Sequence, residues 1–285
     1  MSPAAERWLP LVPAAVVCLY FFIGLIAFSV RSAIWGVKHD RDIEASGRSL
    51  LIGSYLRNYF SWLIRPLWWL VLASGISPNG VTVVATLAGC ASGVAVALGR
   101  FALGGWLFIL SGILDTLDGK LARVRHVVSP AGAAFDSLLD RYADGAVLFG
   151  LAIYFRHSWA LVPALAAIFG TSMVPYVRAK AESFGVPMKE GLMQRPERVF
   201  TLGVAVMFSP MVEALLPTTS AHGSQRLAAI GLVLLAVTSN MTAFGRIARL
   251  LTALRGAAAQ RASASAAASP APGQPHAATR RLVRT

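Results

Sequence analysis

Residues 113–146 read ILDTLDGKLARVRHVVSPAGAAFDSLLDRYADGA and hold five of the chain's 13 acidic residues, set among long apolar runs. Asp115 and Asp118 are three apart, and Asp136 and Asp140 are four apart, so on helices each pair shares a face. Pro130 and Gly132 interrupt the chain between the pairs. The stretch predicts the ends of two adjacent antiparallel helices, with four carboxylates converging on one point. Two arginines, Arg123 and Arg141, are near enough in sequence to form structural ion pairs, but two cations do not neutralise four carboxylates. Charge inside a membrane is costly and usually marks function. Hard oxygen donors of this kind suit Mg²⁺ or Mn²⁺, and four of them suit two ions.

The flanking sequence supplies the membrane. Of 285 residues, 56% are hydrophobic and only 14% charged, with a mean hydropathy of +0.61. Soluble domains carry about 25% charged residues. Secreted disulfide scaffolds, disordered chains and ordinary soluble enzymes are excluded, and Cys18 and Cys90 offer no disulfide framework. Seven stretches are long and apolar enough to span: 8–30, 80–99, 101–121, 133–155, 158–177, 199–216 and 226–248. The first lacks a small-residue cleavage site and reads as a span, not a signal peptide. Of the 26 Lys and Arg residues, 21 fall on alternate connections, which the positive-inside rule assigns to the cytoplasm. The N-terminus is then outside, and the C-terminus and the aspartates face the cytoplasm. The net charge of +13 is therefore a topology signal and calls for no nucleic acid.

Between the first two spans, 50–73 mixes aromatic residues with sparse arginines, the pattern of an amphipathic helix lying in the interface. The expected fold is an all-α integral membrane protein. It has a six-transmembrane-helix core (50–252) preceded by this interfacial helix, with one extra N-terminal transmembrane helix and a linker (1–49). A disordered basic tail (253–285) follows.

The small residues among the acids also need a reason. Gly119 removes a side chain where something large approaches the backbone, Ala122 keeps the same face low, and Gly132 opens the facing helix. Arg123 offers a fork of donors suited to phosphate. Metals, an open wall and an arginine describe a pyrophosphate or nucleotide site. A cation-coupled transporter is the alternative from another class, but the broken helices in repeated halves that mark such proteins are missing from the sequence. P-loop, zinc-protease and dinucleotide motifs are also missing.

The pattern Asp115-x2-Asp118-Gly119-x2-Ala122-Arg123-x8-Gly132-x3-Asp136-x3-Asp140 resembles the CDP-alcohol phosphotransferase signature at every position. Pro78-Asn79-x-x-Thr82 is similar to the element that opens the family's first core helix. The resemblance implies a CDP-linked lipid such as CDP-diacylglycerol as donor. It implies two divalent cations held by Asp115, Asp118, Asp136 and Asp140, with Asp140 also as general base. Asn79, Thr82, Gly119, Ala122, Arg123, Ser129 and Gly132 match the positions implied to contact the CDP-lipid. Asp144 is left as an outer, supporting residue, and a homodimer is implied by analogy.

The acceptor is read from 178–198, RAKAESFGVPMKEGLMQRPER. Its basic-Ala-basic-Ala-Glu box and Arg-Pro-Glu-Arg element resemble the phosphatidylinositol-phosphate synthase branch, which implies inositol 1-phosphate as acceptor. Arg178, Arg195, Arg198 and Arg246 are then expected to hold its phosphate. Glycerol 3-phosphate, giving phosphatidylglycerophosphate, is the alternative acceptor.

Overall fold

The computed structural model describes residues 12–36, 54–188, 195–216 and 225–268. Nine helices are present among them: α1 (Val12–Trp35), α2 (Ser54–Leu63), α3 (Arg65–Ala73), α4 (Pro78–Ala97), α5 (Phe101–Val124), α6 (Pro130–Tyr154), α7 (Leu161–Ser183), α8 (Arg195–Leu215) and α9 (Arg226–Ala268). Lys38, Arg41, Arg48, Lys189 and the arginines at 280–284 lie outside the described residues, as do positions 1–11.

Helices α4 to α9 form a closed ring in the order α4, α6, α7, α9, α8, α5. Small residues set the tightest crossings. A side chain added at Gly150 of α6 would strike the Gly93 carbonyl of α4, and one added at Gly93 would strike Ala146. In lipid, helix association depends on such backbone approach rather than on hydrophobic burial. Polar side chains add cross-ties. Ser92 donates to the Gly104 carbonyl (2.6 Å), and Asn240 Nδ2 on α9 donates to the Ala166 carbonyl on α7 (2.9 Å). The main apolar core joins Val96, Phe101, Val147, Leu151, Leu202 and Leu232. Outward-facing Leu87, Val94, Phe149, Phe169, Val237 and Phe244 remain exposed, as expected for contact with lipid.

Among the described residues, six helices are long and apolar enough to cross a membrane: those containing Cys18–Trp35, Pro78–Ala97, Phe101–Val124, Leu161–Ser183, Arg195–Leu215 and Arg226–Gln260. The seventh expected span, 133–155, is the 25-residue α6, long enough at about 37 Å. It falls outside this set because it carries Asp136, Asp140, Arg141 and Asp144.

Three expectations change in detail. The first span runs on past residue 30 to Trp35. The interfacial segment is two helices, not one, broken at Ile64: Pro66 has no N–H to donate back into α2. The tail expected to be disordered from 253 is helical to Ala268, continuous with α9. Its alanines favour helix. The extra helix α1 is also docked on α2, through Phe28, Tyr59 and Leu63. Tyr59 donates to the Phe21 carbonyl at 2.5 Å, and Tyr20 to the Leu63 carbonyl at 3.2 Å.

Candidate active site

The reactive end of the ring is built from two helix starts and one helix end. Ser77 caps α4 by accepting from Gly80 N–H, and Ser129 caps α6 by accepting from Gly132 N–H, both at 3.1 Å. Pro78 and Pro130 then occupy the first helical position of each, where a missing N–H costs nothing. Ser129, expected at the CDP-lipid, thus has a structural role as well. Helix α5 ends in a turn in which His126 takes a positive φ of 54°. Val127 N–H bonds back to the Ala122 carbonyl and His126 N–H to that of Arg123, closing the helix. Arg125 ties this turn to the start of α4 by donating to the Ile76 carbonyl at 2.6 Å.

These ends bring three of the four expected carboxylates together. Asp115, Asp118 and Asp136 each offer an oxygen, all within 4.8 Å of one another. Asp118 is 3% exposed, and Thr82 Oγ1 donates to its Oδ2 at 2.6 Å. The Thr82 hydroxyl also lies 3.1 Å from the Pro78 carbonyl, but its single proton favours the nearer, charged acceptor. Thr82, expected at the donor lipid, therefore orients a carboxylate. One Asp136 oxygen is buried with no hydrogen-bond partner. Three convergent oxygens, one of them unsatisfied, fit a divalent cation.

Asp140 stands one turn beyond Asp136 and is joined to the group through Arg195. The Arg195 guanidinium contacts Asp115, reaches Asp140 at 2.9 Å and Asp144 at 3.4 Å. Arg195 was expected at the acceptor phosphate; here it spans the carboxylate cluster and Asp144. Arg141 bonds Ser137 on its own helix (2.7 Å).

Beside the cluster the walls are low. A side chain added at Gly119 would meet only the Arg123 guanidinium, at 3.6 Å, and one at Gly132 would lie 3.7 Å from the Asn79 side-chain oxygen. Gly119 thus adjoins Arg123 on α5, and Gly132 on α6 adjoins Ser129 and, at the start of α4, Asn79.

On the other side of Asp140 lies a cavity of about 480 Å³. All four residues expected at the acceptor line it: Arg178, Arg195, Arg198 and Arg246. Arg198 has two buried nitrogens, Nε and one terminal nitrogen, without a hydrogen-bond partner. Arg246 donates one bond to the Val174 carbonyl (2.7 Å), and Arg178 pairs with Glu182 on its own helix (2.9 Å). Sequence reasoning missed Ser137, Thr171 and Ser172, which also line the cavity. Pro175 signals one part of this wall: it withholds the N–H that the Thr171 carbonyl would otherwise accept.

A model of the CDP-alcohol phosphatidyltransferase family matches residues 75–237, more than half the chain. The chain belongs to this family. As a CDP-alcohol phosphatidyltransferase it is a transferase and a multi-pass integral membrane protein, and its aspartate cluster fits a divalent metal. It is similar to the phosphatidylinositol phosphate synthase of Streptomyces avermitilis, 31% identical over 204 residues, 69% of this chain and 81% of that one. It also resembles two structures of the Mycobacterium tuberculosis phosphatidylinositol phosphate synthase, both at a TM-score of 0.56 and 26% identity over 66% of this chain. One is in complex with manganese and citrate (88% of that chain covered), the other has CDP-DAG bound (92% covered).

Proposed function

We propose that this CDP-alcohol phosphatidyltransferase moves a phosphatidyl group from CDP-diacylglycerol to a hydroxyl of inositol 1-phosphate, releasing CMP. The observation that carries the acceptor is the 480 Å³ cavity in which Asp140 faces Arg178, Arg195, Arg198 and Arg246. A neutral alcohol gives no reason for the five arginines in the lining, these four and Arg141, and two unsatisfied Arg198 nitrogens suit a phosphate's oxygens. The hydroxyls of Ser137, Thr171 and Ser172 in the same wall suit a polyol.

The donor diphosphate lies over the face made low by Gly119, Ala122 and Gly132, with Asn79, Arg123 and Ser129 around the nucleotide. Asp115, Asp118, Asp136 and Asp140 would hold two Mg²⁺ or Mn²⁺ ions, whose positive charge would offset that of the diphosphate and the leaving phosphate. Asp140 takes the proton of the acceptor hydroxyl. The hydroxyl oxygen forms a bond to the lipid-linked phosphorus, the phosphorus–oxygen bond to CMP breaks, and the electron pair leaves with CMP. Arg195, touching both Asp140 and the acceptor cavity, positions the base beside the acceptor. The protein's part is mainly position and electrostatics, as in-line phosphoryl chemistry asks. The reactive end faces the cytoplasm, a reading supported by the distribution of basic residues.

The test is CMP release by the purified protein with CDP-diacylglycerol and Mg²⁺, offering inositol 1-phosphate, free inositol, glycerol 3-phosphate or serine separately. Release with inositol 1-phosphate alone is expected. Release with glycerol 3-phosphate instead overturns the acceptor, and release with free inositol removes the need for the arginine cavity.

A further inference from the structure

A second cavity, of about 790 Å³, lies outside the reaction site, enclosed by α1, α2, α3 and α5. Three cations line it: Arg31 from the extra helix, Arg65 from the interfacial pair and Lys120 from α5. Four of the chain's seven tryptophans line it as well: Trp35, Trp62, Trp68 and Trp69. The lining contains no carboxylate among the described residues. Lys120 stands 5.1 Å from the Trp68 ring, so a cation and an aromatic plane already share one wall.

This cavity is separate from the carboxylate site. Lys120 follows Asp118 by two residues, which places it about 200° round α5, on the far side of the helix. Leu117, 1% exposed, lines the cavity on the same helix. The cavity lies at the same charged end of the ring, at the level where tryptophans and interfacial helices meet the headgroups. Its rim continues into apolar surface: Val30 and Ile34 of α1 and Leu70 of α3 are all more than half exposed. A soluble anion has no use for that apolar margin, whereas a lipid fills both parts at once.

We propose that this cavity binds the phosphate headgroup of an anionic glycerophospholipid other than the reacting one, with its chains lying along α1 and α3. Arg31, Arg65 and Lys120 meet the phosphate, and the tryptophans pack on the glycerol region. The extra N-terminal helix thereby acquires a purpose, because without it the Arg31 and Trp35 wall does not exist.

The tryptophans make the test direct. The full chain is reconstituted in phosphatidylcholine nanodiscs containing a minor fraction of chain-brominated phosphatidylglycerol or, in parallel, chain-brominated phosphatidylcholine. Quenching of intrinsic fluorescence is then read. Two arginines are expected to give the anionic lipid a preference on the order of tenfold. Most of that preference is lost in the double variant Arg31→Gln, Arg65→Gln, which leaves only Lys120 to meet the phosphate, and it persists in Arg31→Lys, Arg65→Lys, which keeps the charge. Equal quenching by both lipids in the wild type overturns the proposal, as does loss of the preference in both double variants alike. Loss on adding saturating CMP means the lipid was reading the reaction site, and loss with millimolar inorganic phosphate means the occupant is a soluble anion. Either result also overturns it.

Discussion

Replacing Thr82 with Val tests whether the carboxylate cluster is held in position by its neighbours. The substitution keeps the β-branched shape on α4 and deletes one donor, the hydroxyl 2.6 Å from Asp118 Oδ2. Asp118 is almost fully buried, so water does not readily replace the lost partner. A hydrogen bond to a charged group contributes about 1.5–3 kcal/mol. At about 1.4 kcal/mol per factor of ten, the affinity of the cluster for a cation should fall about tenfold to hundredfold. The same range is typical when the partner of a metal-binding side chain is removed. The assay is Mn²⁺ binding to the purified full chain, followed by the paramagnetic resonance signal of free Mn²⁺. Thr82→Val should weaken binding by that factor, and Thr82→Ser, which restores the hydroxyl, should recover most of it. Unchanged Mn²⁺ affinity in Thr82→Val refutes the reasoning. So does a defect confined to the apparent KM for CDP-diacylglycerol, since Thr82 then serves the donor lipid and not Asp118.

Three further outcomes are expected. Asp140→Asn should keep CDP-lipid binding, measured by nucleotide-lipid retention on the purified protein, while abolishing CMP release; unchanged turnover refutes the base assignment. Arg198→Ala should raise the apparent KM for the phosphorylated acceptor by about tenfold or more, from the loss of charged hydrogen bonds. The KM for the CDP-lipid should hardly move, and equal effects on both would make Arg198 structural. Gly150→Ala forces a methyl group into the Gly93 backbone and should cost about 1–3 kcal/mol, read as a lowered Tm in detergent. An unaltered Tm would mean that α4 and α6 separate freely at their crossing.

The acidic motif was legible because its information is local. Spacings of three and four place Asp115 with Asp118 and Asp136 with Asp140 on helix faces whatever the rest of the chain does. Ser129 and Thr82 were less legible. Both sit where a donor-lipid contact was expected, yet one caps α6 and the other orients Asp118. A hydroxyl's partner depends on what lies within about 3 Å of it, which a motif does not encode. Pro66 was visible in the sequence and is enough to divide the interfacial helix, but the apolar pattern runs across it and conceals the break. The alanines of 253–268 point the opposite way: a composition too poor to build a core still forms helix.

By itself the sequence determined that this chain lives in a membrane, that its helices carry a convergent acidic cluster, and that arginines gather at the same end. Each of these follows from hydropathy, helical period or the cost of unpaired charge, and none needs a distant partner. Only the tertiary structure decided what those arginines do. Closing the ring brings Arg195 of α8 onto Asp115 of α5 and Asp140 and Asp144 of α6, and sets Arg198 and Arg246 round one cavity with Asp140. It also docks α1 on α2, which creates the second, tryptophan-lined cavity. Residues 50 or more positions apart meet only because helix packing fixes their geometry, and packing is a property of the whole bundle rather than of any stretch within it.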